Sequence, residues 1–230
     1  MVKKQDKTED GIVAVEEALS KTEKFIEKNQ RLLSIIVGAI VVLVLIFFAF
    51  KKFYVAPRET EAENQMFMAE KYFDMDSLDL ALNGDGMYPG FLQIVDNYGI
   101  TKSANLARYY TGQIYLHKGE FDNAIRYLKK YKGHDDIIGP MAKGGIGDAY
   151  LELNNQDKAL SYYLEAAEMR TNDFTSPMFF MKAGLTYELM GKYDDARALY
   201  EKIKKEFPKS NEARDIDKYI ARAKEFGSKS

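Results

Sequence analysis

The sequence predicts an all-α chain: one transmembrane helix, a solenoid of stacked helix pairs, and a capping helix at the C-terminus. Three observations predict it. Leu32 to Phe50 is an uninterrupted apolar run of nineteen residues. A pattern of small and aromatic residues recurs three times after it. No stretch of the remaining sequence alternates as a strand would.

Residues 1–31 read as a cytoplasmic tail. Residues 1–11 are polar and are expected to be disordered. From Ile12 a helical face appears in Val15, Leu19, Thr22 and Ile26, either as a helix that binds a partner or as a solvated extension of the next element. The tail holds seven Lys/Arg and seven Asp/Glu, so the chain's net charge of −2 falls on the rest.

Residues 32–50, LLSIIVGAIVVLVLIFFAF, contain no charge and one polar side chain, Ser34. As a helix they span about 28 Å, close to the hydrocarbon thickness of a bilayer. A cleaved signal would have a shorter apolar run and small residues at its end. Here 31 residues precede the run and Phe47, Phe48 and Phe50 close it, which fits an uncleaved signal-anchor. Lys21, Lys24, Lys28 and Arg31 precede the run, and Lys51, Lys52 and Arg58 follow it. The count favours the N-terminus inside by a single charge. Ser34 and Gly38 form a small-xxx-small pair suited to a partner helix. Residues 51–59 read as a linker, with Pro57 marking a break.

Beyond the linker, Gly112, Tyr115 and Ala124 are matched by Gly147, Tyr150 and Ala159 and by Gly184, Tyr187 and Ala196. The tyrosine follows the glycine by three and the alanine follows it by twelve. Gly119 and Phe121 in the first copy are echoed by Gly191 and Tyr193 in the third, and Pro208 closes the third. These residues resemble the tetratricopeptide repeat, a helix–turn–helix unit. The small glycine and alanine let two antiparallel helices approach, the tyrosine is expected to fill the gap between them, and Leu128, Tyr163 and Tyr200 are expected to pack on the next layer. The copies fall at 104–137, 140–173 and 177–210. Ala69, Tyr72 and Ala81 repeat the spacing, so 60–99 reads as a degenerate first copy with a loop inserted at 83–90. Residues 211–230 hold a capping helix, with Ala213, Ile216, Ile220 and Ala223 on its apolar side, and a short tail.

Ser176–Pro177 and Gly139–Pro140 read as helix starts, and Gly119 and Gly191 as turns between paired helices. Gly144, Gly145 and Gly147 crowd one first helix, implying close backbone packing or a shallow place where a ligand approaches.

Several classes of chemistry find no support. The chain has no cysteine and two histidines, His117 and His134. This removes thiolate nucleophiles and cysteine-ligated zinc. Charge is too balanced for a nucleic-acid binder. Asp74–Asp79 lacks the glycine and closing glutamate of a calcium loop, and His134-Asp135-Asp136 reads as a solvated turn. No enzyme, cofactor or metal is expected.

What remains is a groove on the first helices. Periodicity predicts that Tyr109, Gln113, His117, Asp148, Glu152, Met181, Leu185 and Glu188 face it, a mixture suited to an extended or helical peptide. Some repeats of this family grip a C-terminal carboxylate with Lys, Asn and Arg. The corresponding places here hold Tyr109, Gln113, Met141 and Gly145, which argues against that clamp.

The layout as a whole, with the tail pattern VEEALSKTEKFIEKNQ, the span and YVAPRE, is similar to the YfgM-like inner-membrane proteins that accompany the Sec translocon, in a Bacteroidota form. The resemblance implies an adaptor with its C-terminal domain in the periplasm, receiving newly exported proteins with the translocon and periplasmic chaperones as partners. A scaffold subunit of an envelope or secretion complex, or an import receptor facing the cytosol, remain as alternatives.

Overall fold

A computed structural model describes residues 6–133 and 135–228, with side chains from Glu23 onward. Residues 1–5 of the expected disordered start therefore lie outside the described residues, as does His134. The chain divides into two compact units, Met1–Pro57 and Arg58–Ser230.

The first unit is dominated by helix α1, Asp6–Phe50. The helix already includes residues 6–11, which the sequence led us to expect as disordered. The side chains of Val15, Leu19 and Thr22, on the expected tail face, lie outside the described residues. The helix is long and apolar enough to cross a membrane: its most apolar 18-residue window has a mean hydropathy of 3.2 and none of it is buried. Gly38 faces open space.

The expected linker is helical. Lys51–Val55 form a π-helical turn, and the amide of Ala56 reaches back five residues to the Lys51 carbonyl. Pro57, one residue inside helix α2 (Ala56–Asp74), has no N–H to give to Phe53. Widening the preceding turn removes the need for that bond, so the proline marks a wider turn in place of the expected break. The boundary between the two units falls here.

The second unit is a succession of helix pairs: α2 with α3 (Leu78–Asn83) and α4 (Phe91–Asn97), α5 (Lys102–His117) with α6 (Phe121–Lys130), α7 (Ile138–Glu152) with α8 (Gln156–Met169), and α9 (Thr175–Leu189) with α10 (Tyr193–Glu206). A 3-10 turn at Glu212–Asp215 leads into α11, Ile216–Gly227. From α4 onward each helix packs on the next, and α5, α7 and α9 also touch one another.

The turn inside each pair is built the same way four times. Asp76, Gly119, Asn154 and Gly191 adopt positive φ, at 55°, 73°, 57° and 73°. The following residue, Ser77, Glu120, Asn155 or Lys192, donates its amide to the carbonyl of Tyr72, Tyr115, Tyr150 or Tyr187, at 2.8 to 2.9 Å. This is a Schellman closure, which satisfies carbonyls the helix end would leave unpaired. Ala81, Ala124, Ala159 and Ala196 then enter the core with no exposed surface. The four-fold recurrence shows that α2–α3 closes with the same turn as the three later pairs. It also accounts for Asp74–Asp79, which is this inter-helix turn.

Packing inside the pairs departs from the expected assignment of rings. The side chain that covers the repeat glycine comes from the second helix. A Cβ on Gly112 would lie 2.5 Å from Leu128, one on Gly147 2.6 Å from Tyr163, and one on Gly184 2.4 Å from Tyr200. Tyr115 and Tyr150 instead stack at the pair's edge on Tyr127 and Tyr162, with centroids 5.5 and 5.6 Å apart. The covering rings continue into the next layer: Tyr163 lies 6.5 Å from Phe179 and Tyr200 5.6 Å from Tyr219.

The inserted loop separates α3 from α4. Asp85 holds it closed, accepting from the amides of Met87 and Tyr88 and from the Tyr72 hydroxyl. After the loop, Phe91 returns to the core, stacked 4.8 Å from Tyr110. At the other end, Ile216 and Ala223 of α11 are buried against the last pair, with Ala213 and Ile220 beside them.

Candidate functional site

The first helices α2, α5, α7 and α9 form one layer, and their positioning starts at their N-termini. Thr101 accepts from the amide of Ala104 at 3.0 Å. Glu59 reaches across from α2 to accept from the amides of Lys102 (2.6 Å) and Ser103 (2.9 Å) and from the Ser103 hydroxyl (2.7 Å). Asp135 accepts from the amides of Ile137, Ile138 and Gly139 at the start of α7. Asn172 accepts from Phe174 and Thr175 at the start of α9. The capping residues are thus Asp135 and Asn172. Ser176 and Gly139, expected as caps, lie inside the helices, and Ser176 accepts instead from the amide of Asn172.

These caps are charged where it matters. Burial pushes the Glu59 carboxyl up, but the hydrogen bonds from Ser103 and Lys102 outweigh it and hold the group below its usual range. The same balance holds Asp135 low: burial raises it, and the Tyr131 hydroxyl and the three amides lower it further. Burial, followed by Asp135, pushes the Tyr131 phenol well up.

The three glycines of α7 are spaces filled by neighbours. A Cβ on Gly144 would lie 1.8 Å from the Phe179 ring of α9, and one on Gly145 3.0 Å from Leu128 and 3.1 Å from Gln113. With Gly147 under Tyr163, all three serve close packing. Of the two readings the sequence left open, the structure shows the first.

The eight expected groove residues fall on the first-helix layer with different surroundings. On α5, Tyr109, Gln113 and His117 follow one another at four-residue spacing. Tyr109 is half-buried, 5.9 Å from Tyr131, Gln113 covers Gly145, and His117 is exposed. On α7, Glu152 is exposed. Asp148 accepts from Lys182 Nζ at 2.6 and 2.8 Å and from the Tyr163 hydroxyl at 2.7 Å. On α9, Met181 borders the core and Leu185 is exposed. Glu188 accepts from Arg222 of the capping helix at 2.6 Å and from the Tyr200 hydroxyl at 3.1 Å.

Two openings lie toward the N-terminal ends of the first helices. One, about 950 Å³, is lined by Glu63, Met66 and Glu70 of α2, Leu106 of α5, Tyr131 and Ile138 among others. Burial, and then the charges of Asp74 and Glu63, raise the Glu70 carboxyl above its usual range. The sequence reading missed this opening because Glu63 and Glu70 sit on the degenerate first copy and Glu59 on the expected linker. Among the described residues no three His, Cys, Asp or Glu side chains come together as a metal site would need.

A layer of stacked helix pairs presenting one side-chain face defines a protein-interaction solenoid. Tetratricopeptide-repeat family models match residues 91–136, 142–173 and 179–210. The solved crystal structure of MamA protein is similar in fold, with a TM-score of 0.52 and 19% identity over 73% of this chain and 92% of that one. No curated protein matches the sequence.

Proposed function

We propose that the chain is a membrane-tethered adaptor whose first-helix layer binds protein segments outside the cytoplasm. In this reading it assists newly exported proteins at the Sec translocon, with periplasmic chaperones as further partners. The observation that carries the reading is the union, in one chain, of a helix fit to cross a membrane and an array of protein-interaction repeats. The resemblance in layout to the YfgM-like proteins supports the compartment, as does the one-charge excess before the apolar run.

Within the layer we assign partner contact to Tyr109, Gln113, His117, Glu152, Met181 and Leu185. Asp148 and Glu188 are engaged by Lys182 and Arg222, and their role is to hold neighbouring layers in register. No catalytic step is assigned: the exposed groups on this face, the His117 imidazole, the Glu152 carboxylate and the Leu185 side chain, with the partly buried rest, suit recognition of an extended or helical peptide.

Two measurements test the proposal together. A reporter fused after Ser230 is expected to respond on the outer side of the membrane, and a cytosolic response overturns the export reading in favour of an import receptor. Affinity purification from gently solubilised membranes is expected to recover translocon or chaperone components with many exported chains. Recovery of one constant neighbour instead would identify a scaffold subunit.

A further inference from the structure

The second opening of the repeat unit is rich in cations. A cleft of about 600 Å³ is lined by Gly99, Ile100 and Thr101 at the start of α5 and by Asn105, and it gathers Lys102, Arg108, Lys129, Lys130 and Lys132, with no carboxylate among its lining residues. The chain as a whole carries a net charge of −2, so five cations around one cleft are a local excess.

None of the five takes part in the ion pairs of the repeat unit among the described residues. Arg108 donates to the Gly99 carbonyl at 2.7 Å, which fixes one edge of the guanidinium and leaves its other N–H groups for a ligand. Lys129 lies over the Tyr150 and Tyr162 rings and Lys130 over Tyr127. Asn105 exchanges two hydrogen bonds with the Lys132 backbone, both 2.9 Å, which holds the 131–133 segment against α5. Glu59, on the adjoining face, accepts from the amides of Lys102 and Ser103 and also feels the Lys102 charge. Lys129 and Lys130 also complement the C-terminus of α6. That role accounts for two of the cations and the Gly99 contact for part of Arg108, while Lys102 and Lys132 also border the neighbouring opening that holds Glu59, Glu63, Glu70 and Asp135.

We propose that this cleft binds a compact phosphate-bearing anion carrying at least two negative charges. A guanidinium fork beside ammonium groups is a donor set that phosphate oxygens use. A single carboxylate would leave most of the cations uncompensated, and the cleft is small for an extended acidic peptide. The phosphate can come from a soluble compound or from a lipid headgroup.

The test uses the full-length protein in phosphatidylcholine nanodiscs. Amine labelling of Lys102, Lys130 and Lys132 is read by peptide mass spectrometry, with exposed Lys205 and Lys209 as references. Tripolyphosphate, or replacement of part of the lipid by phosphatidylglycerol, is expected to lower labelling in the cleft by about fivefold at constant ionic strength, leaving the references unchanged. Protection by tripolyphosphate alone identifies a soluble ligand, and protection by phosphatidylglycerol alone a headgroup. The paired substitution Arg108→Ala and Lys132→Ala is expected to abolish protection at Lys102 in protein whose helical circular dichroism is unchanged. Equal labelling in every condition overturns the proposal. So does protection by polyglutamate that matches tripolyphosphate, which would assign the cleft to acidic peptides.

Discussion

Arg222 of the capping helix and Glu188 of α9 are joined at 2.6 Å, and the Tyr200 hydroxyl reaches the same carboxylate at 3.1 Å. Glu188 retains only 14% side-chain exposure. The pair therefore ties the cap to the last first-helix, across the open end that a solenoid must cover. Arg222→Ala is expected to lower stability by about 1 kcal/mol, a modest figure because Arg222 itself is partly exposed. Hydrogen exchange of residues 216–227 should rise more than that of α5, and equal change in both helices would show that the pair does not anchor the cap.

Phe179 of α9 fills the space beside Gly144 of α7, where a Cβ would lie 1.8 Å from the ring. Gly144→Ala gains about 1 kcal/mol of helix propensity, but the ring must move and overpacking costs about 1–3 kcal/mol. Net destabilisation in urea unfolding is expected. Adding Phe179→Leu should recover part of the loss, since residues in contact couple. Strict additivity of the two changes would contradict the packing described.

Thr111 Oγ1 is buried with no hydrogen-bond partner. Thr111→Val keeps the shape and removes an unsatisfied hydroxyl, so it is expected to raise stability by about 1 kcal/mol. A lower melting temperature in the variant would indicate that the hydroxyl is satisfied in solution.

Glu59 and Asp135 are both held below the ordinary carboxylate range in the folded chain. The unfolded chain therefore binds protons first as pH falls, and the stabilisation both groups supply is complete above the unfolded values near about 4. It is lost as pH drops through the folded values. Thermal melts between neutral pH and pH 3 should show a decline that Glu59→Gln makes shallower. An identical pH profile in that variant would remove Glu59 from the account.

Much of the fold was legible because its rules are local. The glycine–tyrosine–alanine spacing fixed which helices pair, and Gly119 and Gly191 marked two turns at positive φ. The other two turns were hidden because Asp76 and Asn154 reach the same conformation with polar side chains that tolerate it. The caps at Asp135 and Asn172 escaped notice because they precede their helices by more than one residue. Tyr163 and Tyr200 meet the next layer as expected, but they also cover the glycines in place of Tyr150 and Tyr187, because sequence spacing cannot show which helix sends its side chain over a glycine. Of the site, helical faces could be read but partners could not: Asp148 and Lys182 lie on different helices, 34 residues apart.

The most direct test of the adaptor is photo-crosslinking from exposed Leu185 on the first-helix layer, in membranes of cells making the full-length protein. Lys158, exposed on the second helix α8, serves as the control. The account predicts adducts to many exported polypeptides from position 185 and few from 158. Equal adducts from both positions, or none from position 185, would contradict a partner-binding face on the first helices.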